Sequence, residues 1–144
     1  MVATNASWGV DFGRPADAPI WCSLYDSLGA VGILNTAATA NNNTNVDVDG
    51  DLPTSCTSDF LISVTSNNAL GDKVTFAGYG TQSIDLSAPG EEVYTTKRNG
   101  NYGTDSGTSF AAPMVAGAVA LLYSNLCNDL IQLLPTNPDS VARY

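Results

Sequence analysis

Histidine is absent from all 144 residues of the sequence. The imidazole of histidine is the usual general base that activates a serine nucleophile, because its pKa lies close to neutral pH. No residue of this chain supplies that base. A serine nucleophile that uses the usual general base would therefore need a histidine from outside this chain.

Basic residues are also scarce, with 5 lysines and arginines against 14 aspartates and glutamates and a net charge of −9. This balance disfavours nucleic acid or an anionic membrane surface as a partner. The apolar stretch at residues 110–123 is shorter than the about 20 residues that a membrane-spanning helix needs. With 44% hydrophobic and 13% charged residues, the composition is typical of one modest folded domain.

Cysteine occurs only at Cys22, Cys56 and Cys127, without the CxxC spacing of a metal site. An odd count allows at most one internal disulfide and leaves one thiol over. A bridge between Cys22 and Cys56 and a set of free buried cysteines both remain open at this point.

Short apolar segments alternate with a helical pattern in the first half of the chain. Predicted strands cover residues 1–6, 30–38, 60–65, 73–77, 83–86 and 93–96. Predicted helices cover residues 20–28, 107–123 and 126–134, with a further helix start at 137–140. Gly29 is predicted to end the first helix, and residues 88–90 to form a turn. Strands that are apolar throughout suit a parallel sheet flanked by helices, so the sequence predicts an α/β fold.

The segment GTSFAAPMVAGAVALLY, which begins at Gly107, predicts a buried helix with a serine at its start. Thr108 or Ser109 is predicted to cap the helix, and Pro113 to fall in or near its first turn. Ser109 would then lie at the positive end of the helix, where an attacking oxygen and a developing oxyanion are both favoured. The structural alternative is a serine that only caps the helix.

The first part of that segment, GTSFAAPMVAG, closely resembles the nucleophile motif of the subtilisin-like serine proteases. The resemblance implies that Ser109 is the nucleophile. The family carries its oxyanion-binding asparagine just after a strand of small residues, and Asn41 holds that place, with Asn42 as the next candidate. Ala40 stands where the family usually has glycine, which narrows the adjacent pocket.

A second resemblance concerns substrate binding. Ser7, Trp8 and Gly9 are similar to the Ser-x-Gly segment of that family, which pairs with the substrate backbone as an added strand. The resemblance implies two substrate-binding segments, composed of Ser7, Trp8, Gly9, Ala38, Thr39 and Ala40. Residues 88–90 resemble a family turn that serves as scaffold.

The resemblance implies a three-layer α/β sandwich with a mostly parallel sheet, truncated at both ends, in which residues 1–144 form the C-terminal half of a catalytic domain. In the family the acid and the histidine precede the segments seen here. The implied function is a secreted endopeptidase that acts on proteins or peptides without a cofactor. The chain alone is expected to be inactive and poorly soluble. A peptide-binding remnant, or an esterase completed by another chain, are the alternatives.

The acidic residues outside these motifs give weaker signals. Asp47, Asp49 and Asp51 alternate as possible ligands of a hard cation, but an acidic solvated loop is the favoured interpretation. The resemblance allows a structural Ca²⁺, with no site that can be assigned, and no metal site is predicted. Asp105 precedes the serine by four residues, but without a histidine to orient it is predicted to be a turn residue.

Overall fold

The computed structural model describes residues 1–125, 128–133 and 136–139. The strands are β1 (Ala3–Ala6), β2 (Val10–Asp11), β3 (Leu34–Ala38), β4 (Asp51–Leu52), β5 (Leu61–Asn67), β6 (Leu86–Pro89), β7 (Val93–Thr96) and β8 (Tyr102–Asp105). The α-helices are α1 (Pro19–Gly29), α2 (Val46–Asp49), α3 (Thr108–Ser124) and α4 (Asn128–Leu133). Among the described residues, no helix is both long and apolar enough to span a bilayer.

The main sheet is fully parallel, with the strand order β1-β3-β5-β6. Successive side chains of a strand point to opposite faces of the sheet. The central strands are buried because both faces are covered by helices. Ala37 packs with Tyr25 of α1 on one face, and Ala38 packs with Ala111 of α3 on the other. The predicted three-layer α/β sandwich is therefore confirmed, with α1 and α3 as the outer layers.

Small side chains fill the layer between α3 and the sheet. Helix α3 contacts all four strands of the main sheet. Its buried residues Ala111, Ala112 and Val115 pack against Ala38 and Ala88. Alanines carry little bulk, so the helix backbone runs close to the sheet.

The opposite layer is held by α1 and a disulfide bond. Cys22 of α1 is bonded to Cys56, which follows β4 in the chain. The structure thus decides the open alternative in favour of the bridge. Cys127 lies outside the described residues.

Two small antiparallel sheets complete the described fold: β2 with β4, and β7 with β8. The β7–β8 hairpin turns at Asn99 and Gly100, which both have positive φ (61° and 72°). Asn-Gly is a strong hairpin signal for this reason. Strand β8 was not predicted from the sequence, although the Asn-Gly turn before it indicates a hairpin.

Several predicted boundaries are wrong. The strand expected from residue 30 begins at Leu34, because the chain turns at Gly32 with φ of 79°. No strand covers residues 73–77, where the structure has only an isolated bridge from Lys73 to Asn67. The strand expected at residues 83–86 begins at Leu86 instead and includes Ala88 and Pro89, which were predicted to turn.

Two further expectations need correction. Asp105 is the last residue of β8 rather than a turn residue, and its carboxylate pairs with Lys97 at 2.6 Å. The segment with the alternating aspartates was expected to be a solvated loop, yet it contains α2 and β4. Helix α1 ends at Gly29 as predicted. The helix predicted over residues 126–134 is described only over Asn128–Leu133.

Candidate active site

The start of α3 is held by a residue from another part of the chain. The N-cap position is Gly107, which makes no side-chain cap, so the predicted capping by Thr108 or Ser109 is wrong. Asn41 takes that role, because its Oδ1 accepts a hydrogen bond from the backbone N–H of Thr108 at 3.0 Å. The Oγ1 of Thr108 lies 3.1 Å from the same oxygen and donates to the Thr39 carbonyl. The Asn41 amide is thereby fixed in orientation.

Ser109 and Ser7 form a reciprocal pair of hydrogen bonds. Ser109 Oγ donates to the Ser7 carbonyl at 3.1 Å, and Ser7 Oγ donates to the Ser109 carbonyl at 2.7 Å. The Ser109 carbonyl is free for this bond because its intrahelical partner would be the N–H of residue 113, which is proline. Pro113 is the sixth residue of α3 rather than part of its first turn. Because Pro113 has no N–H, the Ser109 carbonyl can accept the bond from Ser7, which connects α3 to the segment after β1.

Trp8 and Gly9 continue that segment along the cleft. Trp8 stacks on Trp21 of α1 with ring centroids 4.8 Å apart, and it remains 66% exposed. A Cβ on Gly9 would lie 2.1 Å from the Leu52 carbonyl oxygen, so only glycine allows β4 to approach here. The close approach of β4 is by itself a sufficient reason for glycine at residue 9.

The scaffold segment near Gly90 positions the helix start. Gly107 donates its backbone N–H to the Gly90 carbonyl at 2.8 Å. A Cβ on Gly90 would lie 2.4 Å from Ser66 Oγ and 2.7 Å from the Gly107 carbonyl oxygen. This close approach sets where α3 begins relative to the end of β5.

All the site residues that the sequence predicted line one cleft of about 210 Å³. They are Ser7, Trp8, Gly9, Ala38, Thr39, Ala40, Asn41 and Ser109. Asn42, the second candidate for the oxyanion donor, lines it as well, and its Nδ2 donates to Asp11 rather than lying free. The structure therefore brings the two predicted substrate-binding segments, residues 7–9 and 38–40, together with Asn41 and Ser109. The functional roles of these residues stay predictions.

The three alternating aspartates do not share a ligand. Asp47 accepts from the backbone N–H of Thr81, and Asp49 accepts from Thr44 Oγ1 at 2.6 Å. Asp51 is 2% exposed and its Oδ2 binds other groups. The expected solvated loop is wrong, because each carboxylate holds a different segment of backbone or side chain. No group of three or more acidic, cysteine or histidine side chains in the described ranges is placed to hold a metal ion.

Two carboxylates of the cleft, Asp11 and Asp51, were not predicted as part of the site; Asp51 was considered only as a possible cation ligand. Burial raises the pKa of the Asp51 carboxyl, and the charge of Asp11 acts in the same direction. Hydrogen bonds from Thr54, Thr39 and Ala40 lower it only in part. Asp11 gave no signal in the sequence, since its place in the cleft depends on the pairing of β2 with β4.

The cleft offers donors for a negatively charged oxygen. The backbone N–H of Ser109 lies in the first turn of α3, where N–H groups have no intrahelical acceptor. Because Oδ1 of Asn41 faces Thr108, its Nδ2 is left without a hydrogen-bond partner in the described part of the chain. Two such donors beside a serine hydroxyl match the requirement for stabilising a tetrahedral oxyanion.

Comparison with known proteins agrees with this geometry. The model of the subtilase family matches residues 2–137. The chain belongs to the subtilase family. Its relatives include an extracellular protease of Xanthomonas campestris pv. campestris, which is 37% identical over 67% of this chain and 17% of its own length. The major intracellular serine protease of Bacillus subtilis is 31% identical over 80% of this chain and 36% of its own length.

Solved subtilase structures share the fold. The prenylagaramide maturation protease PagA aligns with a TM-score of 0.78 and 26% identity over 98% of this chain. A cold-adapted subtilisin-like serine proteinase aligns with a TM-score of 0.72 and 28% identity over 97% of it. The chain spans 49% and 45% of the length of these two proteins.

Proposed function

We propose that this chain carries the nucleophile and the oxyanion-binding groups of a serine endopeptidase. The observation that carries the proposal is the fixed orientation of Asn41. Its Oδ1 is held by Thr108, the residue that precedes Ser109, so its Nδ2 is left to bind the oxygen of a carbonyl group whose carbon Ser109 attacks. Family membership supports the same chemistry, because the relatives named above are proteases.

In the proposed reaction, Ser109 Oγ forms a bond to the carbonyl carbon of a peptide, and the carbonyl oxygen becomes an oxyanion. The N–H of Ser109 and Nδ2 of Asn41 donate to that oxygen. The serine proton passes to an imidazole, which then protonates the leaving amine, and water releases the acyl group. That imidazole comes from outside these 144 residues, which contain no histidine.

We further propose that the 144 residues are the C-terminal half of a catalytic domain whose other half supplies the acid and the histidine. The share of the solved subtilases that the chain covers supports this division. The substrates are proteins or peptides, and the proposed reaction uses side chains without a cofactor. A structural Ca²⁺ elsewhere is compatible with it.

We also propose that the protein is secreted. The bond between Cys22 and Cys56 supports this, because disulfides persist in oxidising compartments. The Xanthomonas relative is named extracellular, whereas the Bacillus relative is named intracellular. The test is to compare the culture supernatant with the cell fraction. The disulfide-bonded protein is expected in the supernatant and not in the cell fraction.

A peptide boronic acid tests the nucleophile without requiring the missing base. Ser109 Oγ is expected to add to boron, giving a tetrahedral boronate whose ¹¹B resonance differs from that of the free trigonal acid. Ser109→Ala removes the attacking oxygen and is expected to abolish the tetrahedral signal. Ser124→Ala, at the other end of α3, is the matched control and is expected to retain it.

Three results would contradict the proposal. A tetrahedral adduct of undiminished intensity with Ser109→Ala would show that this serine is not the nucleophile. Steady peptide hydrolysis by the chain alone, abolished by Ser109→Ala, would show that the base is internal after all. Peptide binding without any adduct would identify the chain as a binding module.

A further inference from the structure

The cleft beside Ser109 contains two carboxylates that face each other across a strand pair. Strands β2 and β4 pair antiparallel, with Asp11 directly opposite Asp51. Side chains at directly opposed positions project to the same face, with Cβ atoms about 4.5–5.5 Å apart. Like charges in such a pair destabilise it unless an opposite charge lies between them.

The two carboxylate oxygens of Asp51 differ in the number of hydrogen bonds that they accept. Its Oδ2 accepts hydrogen bonds from Thr39 Oγ1 at 3.1 Å, the Ala40 N–H at 3.0 Å and Thr54 Oγ1 at 2.5 Å. Its Oδ1 has no hydrogen-bond partner within the described ranges, although the residue is only 2% exposed and lines the cleft. The buried side-chain atoms that lack a hydrogen-bond partner in the described residues do not include this oxygen, so it is accessible from the cleft and can accept from a donor that enters it.

The described part of the chain provides no cation for this pair. Lys73 donates to the carbonyls of residues 74 and 77, Lys97 pairs with Asp105, and Arg14 donates to the Val48 carbonyl. Neither these three residues nor Arg98 lines the cleft. A positive charge that balances Asp11 and Asp51 therefore comes from outside the described residues, and a cationic ligand in the cleft would supply it.

Part of the cleft suits an aliphatic stem, although most of its lining residues are polar. Trp8 contributes a large, 66% exposed apolar ring at the edge, and Ala40 is a small apolar residue of the lining. The volume of about 210 Å³ is below the range of about 300–1,000 Å³ typical of sites that bury a drug-sized ligand. Lysine and arginine combine an apolar stem with a charged end, which matches an apolar ring at the edge of the cleft and carboxylates in its lining.

We propose that this cleft binds the side chain of a lysine or arginine at the substrate residue whose carbonyl Ser109 attacks, with Asp51 as the main counter-charge and Asp11 as a second one. The proposal rests on the proposed function. A carbonyl held between Ser109 and Asn41 places the side chain of its own residue in the adjacent part of the cleft. That part leads past Ala40 to Asp51, because the Ala40 N–H binds Asp51 directly.

The test is a binding measurement on the 144-residue chain, so it does not require catalysis. Four matched hexapeptides, which end in arginine, lysine, norleucine or glutamate with a free carboxylate, are titrated into the ¹⁵N-labelled chain near pH 7. The arginine and lysine peptides are expected to bind at least about tenfold more tightly than the norleucine peptide, and the glutamate peptide least tightly.

Asp51→Asn keeps an oxygen for the three donors that Asp51 binds and removes the charge, so the preference for arginine over norleucine is expected to fall to within about twofold. Asp11→Asn lies at the exposed edge of the cleft, and it keeps the test decisive if Asp51→Asn does not fold. It is expected to reduce the preference by a smaller factor. Asp72→Asn removes one charge from an exposed turn and is expected to leave the preference unchanged.

The outcomes separate this inference from the proposed function. If all four peptides bind equally and perturb the amides around Ser109, the inference is overturned and the proposed function stands. An unchanged preference in Asp51→Asn and Asp11→Asn also overturns it. If no peptide binds the cleft, both are overturned.

Discussion

Asp47 anchors the segment before β6 to helix α2, and this anchor gives a sharp prediction about pH. Its carboxylate accepts hydrogen bonds from the backbone N–H groups of Thr81 at 2.6 Å, Gln82 at 3.1 Å and Ser83 at 2.8 Å. Burial alone would raise the pKa of Asp47, but these bonds outweigh burial and hold the pKa below its ordinary value. The charged form is therefore favoured in the folded state.

Asp47→Asn tests the contribution of that charge, because it keeps one acceptor oxygen and most of the shape. A hydrogen bond to a charged group contributes about 1.5–3 kcal/mol and a neutral one about 0.5–1.5 kcal/mol. Asp47 is accessible to water, which reduces the difference. We therefore expect the substitution to lower the free energy of unfolding by about 1–2 kcal/mol at pH 7, where the wild-type carboxyl is ionised.

The sign of the pH dependence follows from the lowered pKa. A carboxyl whose pKa is depressed on folding stabilises the fold above its unfolded pKa of about 3.9 and loses this effect as the pH falls through the folded value. The difference between wild type and Asp47→Asn is expected to shrink below about pH 4.

Urea unfolding from pH 7 to pH 3, with Asp72→Asn as an exposed control, measures this difference. Amide resonances of residues 81–83 are expected to titrate together. A difference in unfolding free energy that stays constant across this range would refute the reasoning.

Two other predictions concern stability. Reducing the bond between Cys22 and Cys56, which are 34 residues apart, is expected to lower the free energy of unfolding by about 3–4 kcal/mol, measured by urea unfolding with and without reductant; an unchanged midpoint would contradict it. Ser7→Ala is expected to cost about 1 kcal/mol by leaving the Ser109 carbonyl unpaired, and to cost less in a Pro113→Ala background, where residue 113 regains its N–H; strictly additive effects in the double-mutant cycle would exclude this link.

The parts of the fold that the sequence predicted well are those with strong local patterns. The apolar run of α3, the compact β5 and the helical period of α1 each fall close to their predicted positions. Strand β8 has a glycine at Gly103 and no apolar run, and it is a strand only because it pairs with β7. The cap of α3 was wrongly assigned to Thr108 or Ser109, because Asn41, which takes that role, is 67 residues away in the chain.

The candidate site also contains residues that a local sequence pattern predicts and residues that only the tertiary fold brings into place. Ser109 and Asn41 stand out through short motifs, and the structure brings both to one cleft. Asp11 belongs to no motif, and the alternation that includes Asp51 suggested a cation site or a solvated loop rather than a place in the cleft. Their position opposite each other depends on the register of β2 and β4, which no local pattern specifies.

The small residues between α3 and the sheet have a consequence for how this protein can change. Ala38 and Ala112 act as spacers that fix the distance between the strand leading to Asn41 and the helix carrying Ser109. A larger side chain at either position would push the helix away from the sheet and separate the two donors of the proposed oxyanion site. Variation in this layer is thereby tied to the proposed chemistry of the cleft, so Ala112, which does not line the cleft, is under the same constraint as Ala38, which does.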